Sequence, residues 1–561
     1  MIVNGTEVLV LRRQVICRSS LCNLSKLKLW PRSSLGTGYE SPTRKSRPLG
    51  NGIAMVPTGA LHHRVKTDRE KVAFTTGQDS WTYERVATEV ERLARGLIRR
   101  GLRKGDRVAL HMANLPELVI AYHACFKLGL IAAPLNIRFK AAELNTLLQR
   151  LRPSLYVGQA ALYSRLASVD SSILASHARF IVDGSISDPR VQPWTGLFAE
   201  TNGGPIRVSP DVDAPAVLLT TSGTTGQPKF VIHTLATLSK AAESFGHWDL
   251  DSDQIAALFC PMVHGSGLFT MLACIQFGAP FVLCERFDPD AILDAIERHR
   301  CTWALGLPFM FVALLRHQQA RARDVDSLQT CVAGGDVCPS QLQDQFPSVF
   351  GIPLRSSWVS TEACGSLTYG LQPGPVSRIV PGAQVRLVDD NQVPVPRGEV
   401  GELVVRGPYV TVGYWAGPGR IKEAPKEGWY HTGDLMRQDK EGDLWFVSRK
   451  KHLIVRGGLK ISPVEVERVL TAHPAVRDAA VVGIPDPDLG QRVAGFVQLA
   501  DNAESVDLSE VLAFATERLA DYKVPETLKI VDEIPRNTLG KIDRQLLTMV
   551  LATSRETRVR F

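Results

Sequence analysis

The sequence predicts an α/β fold: a large N-terminal domain of layered α/β sheets with a small β-rich subdomain, followed by a small α+β C-terminal domain. Three observations support this prediction. Apolar, strand-like runs alternate with helical patterns over most of the chain, short strands separated by turns follow Ile379, and a new α/β pattern begins near Leu453. A chain of 561 residues is long enough for roughly two to four compact units.

Residues 1–54 differ in composition from the rest of the chain. The formal net charge is +8, and nearly all of it comes from the first 50 residues, where Lys and Arg greatly outnumber Glu7 and Glu40. We expect a disordered or spurious N-terminal extension on a cytoplasmic protein; the alternative is a transit peptide, which would make the protein mitochondrial. The remaining chain is nearly neutral, so its charge does not indicate a nucleic-acid partner.

The first half of the chain has the pattern of an alternating α/β domain. Helical spacing of apolar residues predicts a helix over residues 86–98, with Gly101 in the position of a C-terminal cap. A strand is predicted at residues 106–111 and a helix at about 115–128. Further buried strands are predicted at residues 154–157, 180–182, 216–220, 256–260, 281–284 and 302–305.

One stretch, residues 255–284, contains no Asp, Glu, Lys or Arg and is long enough to cross a membrane. Prolines and glycines interrupt it at five positions: Pro261, Gly265, Gly267, Gly278 and Pro280. We therefore predict a buried strand, a loop, a short helix and a second strand here, and no transmembrane segment.

The second half of the chain predicts two smaller units. Short strands at residues 385–388 and 401–406 indicate the β-rich subdomain. The C-terminal α+β pattern comprises helices at residues 463–472 and 508–519 and strands at 479–483, 494–499 and 527–531. The ten cysteines are scattered without metal-ligand spacing, which predicts free thiols.

The sharpest chemical signal is the segment 220–229, TTSGTTGQPK, which directly follows an apolar strand. It combines hydroxyl groups, two glycines whose backbone N–H groups can approach an anion closely, and a lysine that adds positive charge. These residues are Thr221, Ser222, Gly223, Thr224, Thr225, Gly226 and Lys229. The set suits a triphosphate, although it is not a Walker A sequence.

This loop resembles the phosphate loop of the acyl-adenylate-forming (AMP-binding) superfamily, which includes acyl-CoA synthetases, peptide-synthetase adenylation domains and firefly-type luciferases. Six further motifs of that superfamily are matched in order, and the resemblance covers about residues 60–548. The matching segments are residues 261–264 (PMVH), 333–336 (AGGD), 358–362 (WVSTE), 429–434 (WYHTGD), 448–465 (from SRKKHLI to ISPVE) and 535–544 (PRNTLGKIDR).

The resemblance implies a nucleotide site and assigns roles to individual residues. Lys541 bridges the substrate carboxylate and the α-phosphate, because anions that meet need cations placed around the developing charge. Glu362, with Thr221 in the same ligand set, holds Mg²⁺ on the phosphates. The remaining implied ATP-binding residues are the loop residues above together with Gly334, Gly335, Asp336, Trp358, Thr361, Asp434 and Arg449, where Asp434 accepts from the ribose hydroxyls, Arg449 donates to them and Trp358 offers a flat face to adenine.

The resemblance also implies an acyl pocket and a coenzyme A path. His264 is implied as a catalytic residue that gates the pocket, and Gly457 and Gly458 as residues of the coenzyme A tunnel. The pocket is expected to be lined by His264, Gly265, Leu268, Phe309, Ala333 and Val359. Because this set contains no cation to pair with a second carboxylate, an apolar fatty or aryl acid is favoured.

Domain boundaries follow from the same resemblance. We expect a large AMP-binding domain at residues 55–447, a hinge at 448–452 centred on His452, a mobile C-terminal domain at 453–549 and a tail at 550–561. Four departures from the family pattern stand out: Phe230 replaces a glycine, Trp358-Val359 replaces Tyr-Gly, Ser448 replaces the glycine that opens the hinge motif, and His452 replaces its aspartate. Val359 is expected to narrow the acyl pocket.

The implied activity is that of a ligase of fatty acid metabolism: an ATP- and magnesium-dependent carboxylic acid–CoA ligase. It forms an acyl-AMP and pyrophosphate, and then an acyl-CoA thioester and AMP. The alternative is an adenylation enzyme that loads a separate carrier protein. A luciferase-like oxidation and a non-catalytic nucleotide-binding relic are less favoured, because no feature supports the first and intact charged motif residues oppose the second. The oligomeric state and the identity of the acid stay open.

Overall fold

The structure is a computed structural model, and two packed sheets dominate it. It describes residues 55–167, 169–200, 206, 208–221, 228–363, 365–366, 368–369, 378–500, 503, 506–537, 540–553 and 558–559. The predicted extension at 1–54 and the loop residues Ser222, Gly223, Thr224, Thr225 and Gly226 lie outside these residues.

The helices of the described residues begin and end as follows: α1 (Pro57–Thr67), α2 (Tyr83–Arg99), α3 (Pro116–Leu128), α4 (Ala141–Leu151), α5 (Ala160–Tyr163), α6 (Leu235–Ser244), α7 (Gly265–Phe277), α8 (Pro289–His299), α9 (Pro308–Ala320), α10 (Ser340–Phe350), α11 (Pro463–Thr471), α12 (Leu508–Thr516) and α13 (Arg544–Thr553).

The strands of the large sheets and hairpins are β1 (Val72–Thr76), β2 (Asp79–Thr82), β3 (Arg107–His111), β4 (Ile131–Pro134), β5 (Leu155–Gly158), β6 (Arg179–Ile181), β7 (Val191–Pro193), β8 (Pro215–Thr221), β9 (Lys229–Thr234), β10 (Ala256–Leu258), β11 (Phe281–Leu283), β12 (Trp303–Gly306), β13 (Thr330–Gly334), β14 (Leu354–Ser357), β15 (Val359–Ser360), β16 (Gly365–Ser366), β17 (Thr368–Tyr369) and β18 (Arg378–Ile379).

The later strands are β19 (Gln384–Val388), β20 (Val400–Arg406), β21 (Gly413–Gly417), β22 (Arg420–Lys422), β23 (Tyr430–Gln438), β24 (Leu444–Arg449), β25 (Ile454–Arg456), β26 (Leu459–Ile461), β27 (Val476–Asp486), β28 (Gly490–Leu499), β29 (Thr527–Val531) and β30 (Arg558–Val559).

Two mostly parallel sheets form the centre of the large domain. Over the described residues, one has the strand order β14-β13-β12-β10-β11-β1-β2 and the other β22-β21-β9-β8-β4-β3-β5-β6-β7. In the first sheet only β2 runs antiparallel. Helices bury their apolar faces against these sheets, as α2 does with Val86, Val90 and Leu93. The layered α/β prediction is confirmed.

The β-rich subdomain is an antiparallel sheet of order β19-β20-β23-β24. The C-terminal domain has its own sheet, in which β28 pairs with β27 on one side and β29 on the other. Alternate residues of β27 face opposite sides, so Val481 joins one apolar cluster and Val482 joins another. Both predicted smaller units are therefore confirmed as parts of the fold.

The predicted domain boundaries stay predictions. The secondary structure at two of the predicted segments, the hinge and the tail, is as follows. The hinge segment 448–452 begins within β24 and continues into a short 3₁₀ turn, Lys450–His452. The predicted tail at 550–561 begins inside α13, and Arg558–Val559 pairs with β29 as a further strand.

The uncharged stretch 255–284 is divided as predicted into a strand, a loop, a helix and a strand. It contains β10, then α7 of 13 residues, and then β11. Gly278 ends α7 with a positive φ of 76°, a conformation that glycine adopts without strain. In the described part of the chain, no helix is long and apolar enough to cross a membrane.

Buried histidines make the stability of this fold depend on pH. Burial lowers the pKa of His123, on α3, to about 4, and neither of its ring nitrogens is hydrogen-bonded to a described residue. In the unfolded chain the pKa returns to about 6.5, so the unfolded state binds the extra proton between pH 6.5 and 4. Stability contributed by neutral His123 is therefore present above pH 6.5 and is lost as the pH falls through that window.

We predict that His123→Leu makes the loss of stability on acidification shallower by about 1.4 kcal/mol per pH unit between pH 6.5 and 4.5. Urea unfolding at a series of pH values measures this slope. His177→Leu, which changes an exposed histidine, is the matched control and should leave the slope unchanged. Equal slopes in wild type and His123→Leu would contradict the prediction.

Candidate active site

A cavity of about 430 Å³ opens where the carboxyl ends of both large sheets meet. Its wall is built from residues that follow consecutive strands, such as Phe259 after β10, Leu307 after β12 and Gly335 after β13. From the second sheet it receives Met112, after β3, and Thr220, within β8. Loops at the carboxyl ends of parallel strands are the usual place for ligands in α/β folds.

Part of the cavity wall is aromatic. Five phenylalanines contribute to its wall: Phe245, Phe259, Phe269, Phe287 and Phe309. The rings of Phe259 and Phe287 lie 6.1 Å apart, and those of Phe287 and Phe309 lie 5.9 Å apart with an angle of 69° between them. Edge-to-face contacts of this kind hold aromatic walls in fixed positions.

His264 lies at the N-terminal end of α7 and lines the cavity. Its Nε2 is 3.2 Å from Nδ2 of Asn136, which follows β4 and also lines the wall. Burial, together with the nearby guanidinium of Arg138, lowers the pKa of His264 to about 4. The imidazole is therefore neutral at pH 7 and accepts the hydrogen bond from the Asn136 amide.

Lys541 reaches the cavity from the C-terminal domain. Two hydrogen bonds join it to Asn537: the backbone N–H of Asn537 donates to the carbonyl of Lys541 over 2.7 Å, and the Asn537 side chain accepts from the Lys541 N–H. Arg536 forms an ion pair with Asp478 at 2.7 Å and a bond to the carbonyl of Gly540. These contacts join Lys541 and Gly540 to Arg536 and Asn537 and, through Asp478, to the rest of the C-terminal domain.

Gly540 allows this part of the chain to lie directly on the cavity wall. Its φ is +79°, and a Cβ added there would lie 2.3 Å from Cε1 of Phe309. No side chain fits at such a distance, so the absence of a Cβ at residue 540 sets how closely Lys541 approaches the cavity.

We predict that Gly540→Ala slows adenylate formation by about 10- to 100-fold, because the displaced backbone carries Lys541 away from the reacting atoms. Pyrophosphate exchange measures this step. Gly419→Ala is the matched control, since Gly419 also has a positive φ but nothing lies within 4 Å of its added Cβ. A wild-type exchange rate in Gly540→Ala would show that the close contact is unimportant.

Several charged groups act on Lys541 together. Burial lowers its pKa from the usual lysine value, and Arg449 lowers it further, while Asp336, Asp434 and Glu362 raise it. The predicted charged residues of four separate motifs are thus within electrostatic reach of one ammonium group.

Asp434 is held by one hydrogen bond and one ion pair. The indole N–H of Trp358 donates to Oδ2 over 2.8 Å, and Nε of Arg449 lies 2.7 Å from Oδ1. Asp434 and Arg449 are opposite each other in the pairing of β23 with β24, which explains their contact. Both Asp434 and Trp358 are buried, with exposures of 2% and 7%. Trp358 lies beside the cavity and does not line it.

Glu362 is half-buried and lies next to Thr361, which lines the cavity. The hydroxyl of Tyr414 donates to Oε1 of Glu362 over 3.1 Å, and Tyr430 Oη is 3.5 Å from the same hydroxyl. His233 holds the adjacent backbone by donating from Nε2 to the carbonyl of Thr361 over 2.7 Å. One carboxylate oxygen therefore has a fixed partner, and accepting sites remain on the carboxylate.

Residues at both ends of the predicted phosphate loop are described. Thr221 ends β8, and Lys229 begins β9 opposite it. Lys229 forms an ion pair of 2.7 Å with Glu423. Phe230, which departs from the family pattern, is fully buried in β9.

The structure brings some of the predicted pocket residues to the cavity and leaves others elsewhere. His264, Gly265, Phe309 and Val359 line it, as do the backbones of Gly334 and Gly335. Val359 lies so close to Gly334 that a Cβ there would be 3.3 Å from its Cγ2. Val359 therefore fills space beside Gly334, while its effect on the acyl pocket stays a prediction.

Two predicted pocket residues do not line the cavity. Ala333 is buried inside β13, paired with Gly306 and Ser356, so the wall is made by the glycines that follow it. Leu268 is fully buried in the apolar core beneath α7, whereas Phe269, which was not predicted, reaches the cavity. For both, the pocket prediction needs correction because the side chain faces the core.

The predicted coenzyme A and hinge residues lie outside the cavity wall. Gly457 and Gly458 form the exposed turn between β25 and β26, with φ of 56° and 83°. His452 is half-buried, and burial together with nearby cations, above all Arg544, lowers its pKa to about 3. His452 is therefore neutral in this arrangement, and its role as the hinge stays a prediction.

Sequence reasoning missed the polar part of the wall. Asn136 and Arg138 follow β4, and Glu285 and Arg286 follow β11, where the two side chains form an ion pair of 3.3 Å. The cavity wall therefore contains cations that the predicted set of pocket residues lacked. The available signal was their position directly after predicted or buried strands, where ligand-contacting loops begin.

Comparisons with known proteins identify the family of this chain. The family model described as AMP-binding enzyme matches residues 61–415, and that of the AMP-binding enzyme C-terminal domain matches residues 465–541. A feruloyl-CoA synthase from an Amycolatopsis species is 32% identical over 488 residues, covering 85% of this chain and 96% of that protein. A medium-chain fatty-acid–CoA ligase from Escherichia coli (strain K12) is 32% identical over 486 residues, covering 83% of this chain and 85% of that protein.

A solved structure is similar over nearly the same length. The o-succinylbenzoate CoA synthetase from Bacillus subtilis, in complex with its acyl-adenylate intermediate, superposes with a TM-score of 0.76 at 27% identity. The match covers 89% of this chain and 99% of that one.

Proposed function

Because the chain belongs to the AMP-binding enzyme family, we propose that it is an ATP-dependent carboxylic acid–CoA ligase that works through an acyl-adenylate. The observation that carries this proposal is the position of Lys541. Lys541 lines the cavity that contains the phenylalanines, and it lies within electrostatic reach of Asp434, Glu362 and Arg449. An apolar acid and the charged end of a nucleotide would meet at that position.

In the first half-reaction, a carboxylate oxygen of the acid attacks the α-phosphorus of ATP, and pyrophosphate leaves. Lys541 stabilises the charge that develops between the carboxylate and the α-phosphate. Asp434 and Arg449 bind the ribose, and the segment from Thr221 to Lys229 binds the phosphates. Lys229 must exchange Glu423 for a phosphate when ATP binds, since its ammonium group is paired with that carboxylate here.

The residues present fit a magnesium ion shared with the phosphates. Glu362 offers accepting sites on its carboxylate, and Thr221 lies at the start of the loop. Among the described residues there is no group of three or more His, Cys, Asp or Glu side chains that could enclose a metal alone. One or two protein ligands plus phosphates and waters is the arrangement that Mg²⁺ prefers, and the ion would supply neutralisation of phosphate charge.

In the second half-reaction, the thiol of coenzyme A loses its proton and its sulfur attacks the acyl carbonyl, which releases AMP. We propose that the C-terminal domain turns about His452 for this step, so that Gly457 and Gly458 line the thiol path and His264 gates it. Removal of Lys541 from the cavity by the same motion would open the site to the second substrate. A neutral His264 fits this role. A positively charged imidazole beside the adenylate would attract its phosphate group and so oppose the release of AMP.

The acid is proposed to be a fatty or aryl acid that fills the phenylalanine-lined cavity. The cavity of about 430 Å³ is comparable to small-ligand pockets and is large enough for a phenylpropenoic or medium-chain acid. The names of the two related ligases support both classes. Arg138, Glu285 and Arg286 give the wall a polar part, so a polar substituent on the acid can be accommodated.

A panel of carboxylic acids tests the proposal. AMP release is measured with acetate, medium- and long-chain fatty acids, benzoates and cinnamates, each with and without coenzyme A. We expect turnover that needs one class of acid together with coenzyme A. Pyrophosphate exchange without coenzyme A-dependent turnover would make a separate carrier protein the acceptor. A cytoplasmic location, or a mitochondrial one if residues 1–54 act as a transit peptide, stays a prediction from the sequence.

A further inference from the structure

We propose that Trp358 is a positioning residue whose indole N–H fixes the carboxylate of Asp434 for binding the ribose hydroxyls of the nucleotide. This inference rests on the proposed nucleotide site. It differs from the expectation drawn from the family resemblance, in which the aromatic residue at this position serves as a flat surface for adenine.

The geometry carries the inference. Nε1 of Trp358 lies 2.8 Å from Oδ2 of Asp434, and only 7% of Trp358 and 2% of Asp434 is exposed. A hydrogen bond to a buried carboxylate is charge-assisted and stronger than one between neutral groups. The buried indole N–H donates to this carboxylate. A phenylalanine has no ring donor, and a tyrosine carries its hydroxyl at the tip of the ring, farther from Cα than the indole nitrogen and in a different direction.

An ion pair adds to this arrangement. Nε of Arg449 lies 2.7 Å from Oδ1 of Asp434, although the two atoms do not form a hydrogen bond. Oδ2 has the indole N–H of Trp358 as its fixed donor, whereas Oδ1 has no hydrogen-bond partner among the described residues. The carboxylate is therefore held through one oxygen and keeps open accepting sites for a pair of vicinal hydroxyl groups.

The hydrogen bond also connects two parts of the fold. Trp358 directly follows β14 at the carboxyl end of the parallel sheet, whereas Asp434 belongs to β23 of the β-rich subdomain. This hydrogen bond therefore fixes the orientation of the ribose-binding carboxylate relative to the part of the cavity wall that contains Gly335 and Thr361. A single bond sets the sugar-binding group relative to the reacting end of the pocket.

The test compares the binding of ATP with that of 2′-deoxy-ATP, which lacks one of the two hydroxyl groups. Isothermal titration calorimetry is used because it needs neither the acid nor the acceptor. For Trp358→Phe we expect ATP affinity to fall about tenfold, while affinity for 2′-deoxy-ATP falls clearly less, so that the wild-type preference for ATP shrinks. Trp358→His, which keeps a ring N–H donor, should recover part of the preference.

A second tryptophan provides the matched control. The indole N–H of Trp445 donates to Asp439 Oδ2 over 2.6 Å, also in the β-rich subdomain and away from the cavity. Trp445→Phe removes the same kind of bond and should leave both affinities unchanged. Retained binding of 2′-deoxy-ATP by Trp358→Phe shows at the same time that the variant is folded.

Two results would overturn the inference. Equal losses for ATP and 2′-deoxy-ATP in Trp358→Phe would mean that Trp358 acts on adenine or on the fold as a whole, and unchanged affinities would mean that it does not act on the nucleotide. Failure of the ligase proposal has a different signature. Wild-type protein would then discriminate between the two nucleotides, as the inference requires, yet activate no acid in the panel.

Discussion

Replacing Lys541 by alanine is expected to slow acyl-adenylate formation by about 100-fold or more, because preorganised cations at a developing anionic centre contribute on this scale. The lysine is placed for this by its hydrogen bonds to Asn537 and by the contact of Gly540 with Phe309. Thioester formation from a supplied acyl-adenylate should be largely retained, since Lys541 is proposed to leave the cavity for that step. Pyrophosphate exchange and single-turnover thioester formation measure the two half-reactions separately.

The same residue predicts a pH dependence. Burial and Arg449 lower the pKa of Lys541 below its usual value, so the ammonium group loses its proton at a lower pH than an exposed lysine does. The rate of adenylation by the free enzyme, kcat/KM, should therefore fall on the alkaline side as the pH rises through that lowered pKa. Lys541→Arg, which stays protonated, should move this alkaline limb to higher pH even if its maximal rate is lower.

The matched control is Lys523→Ala, which removes a lysine paired with Glu465 elsewhere in the C-terminal domain. It should leave both half-reactions at wild-type rates. Equal losses in both half-reactions of Lys541→Ala would contradict the assignment, because a lysine confined to adenylation cannot slow the transfer of a preformed acyl group.

Replacing Glu362 by glutamine is the second change with a large expected effect. The variant keeps the size of the side chain and an oxygen that can accept from Tyr414, so the local fold should persist. It removes the negative charge proposed to hold Mg²⁺ on the phosphates. We expect the turnover rate to fall about 100-fold or more and the Mg²⁺ concentration for half-maximal rate to rise about tenfold or more.

Initial rates measured over a Mg²⁺ titration at saturating ATP separate these two effects. Glu465→Gln, at an exposed position that pairs with Lys523, is the control and should titrate like wild type. A Glu362→Gln variant that lost rate but kept the wild-type Mg²⁺ dependence would assign Glu362 a role in holding the backbone near Thr361, and the proposed metal role would be rejected.

The fold was largely predictable because its strands and helices have strong local patterns. The uncharged segment 255–284 shows this, since its prolines and glycines mark the ends of β10, α7 and β11 correctly. Strand ends were less predictable. β27 runs over Val476–Asp486, well beyond the apolar run at 479–483, because pairing with β28 extends into polar residues that hydrophobicity does not reveal.

The candidate site was likewise predictable from the sequence only in part. The family motifs identified Lys541, Glu362 and Asp434, and the structure brings the charges of Glu362 and Asp434 within electrostatic reach of Lys541. The polar wall was predictable only in part: the position of Arg138 and Glu285 after strands was a signal, but these strands belong to different sheets, and only the packing of those sheets brings both residues to one cavity. Trp358 was recognised as a residue of interest, but its bond to Asp434 depends on how the β-rich subdomain sits on the parallel sheet.

The central claim, that one site forms an acyl-adenylate and then a thioester, is tested most directly by mass spectrometry of a single turnover. Enzyme is mixed with ATP, Mg²⁺ and the best acid of the panel, sampled, and then given coenzyme A. The account predicts acyl-AMP and pyrophosphate before the addition, followed by conversion of the acyl-AMP to acyl-CoA and AMP. Appearance of ADP with an acyl phosphate, or of acyl-CoA with no acyl-AMP at any time, would contradict it.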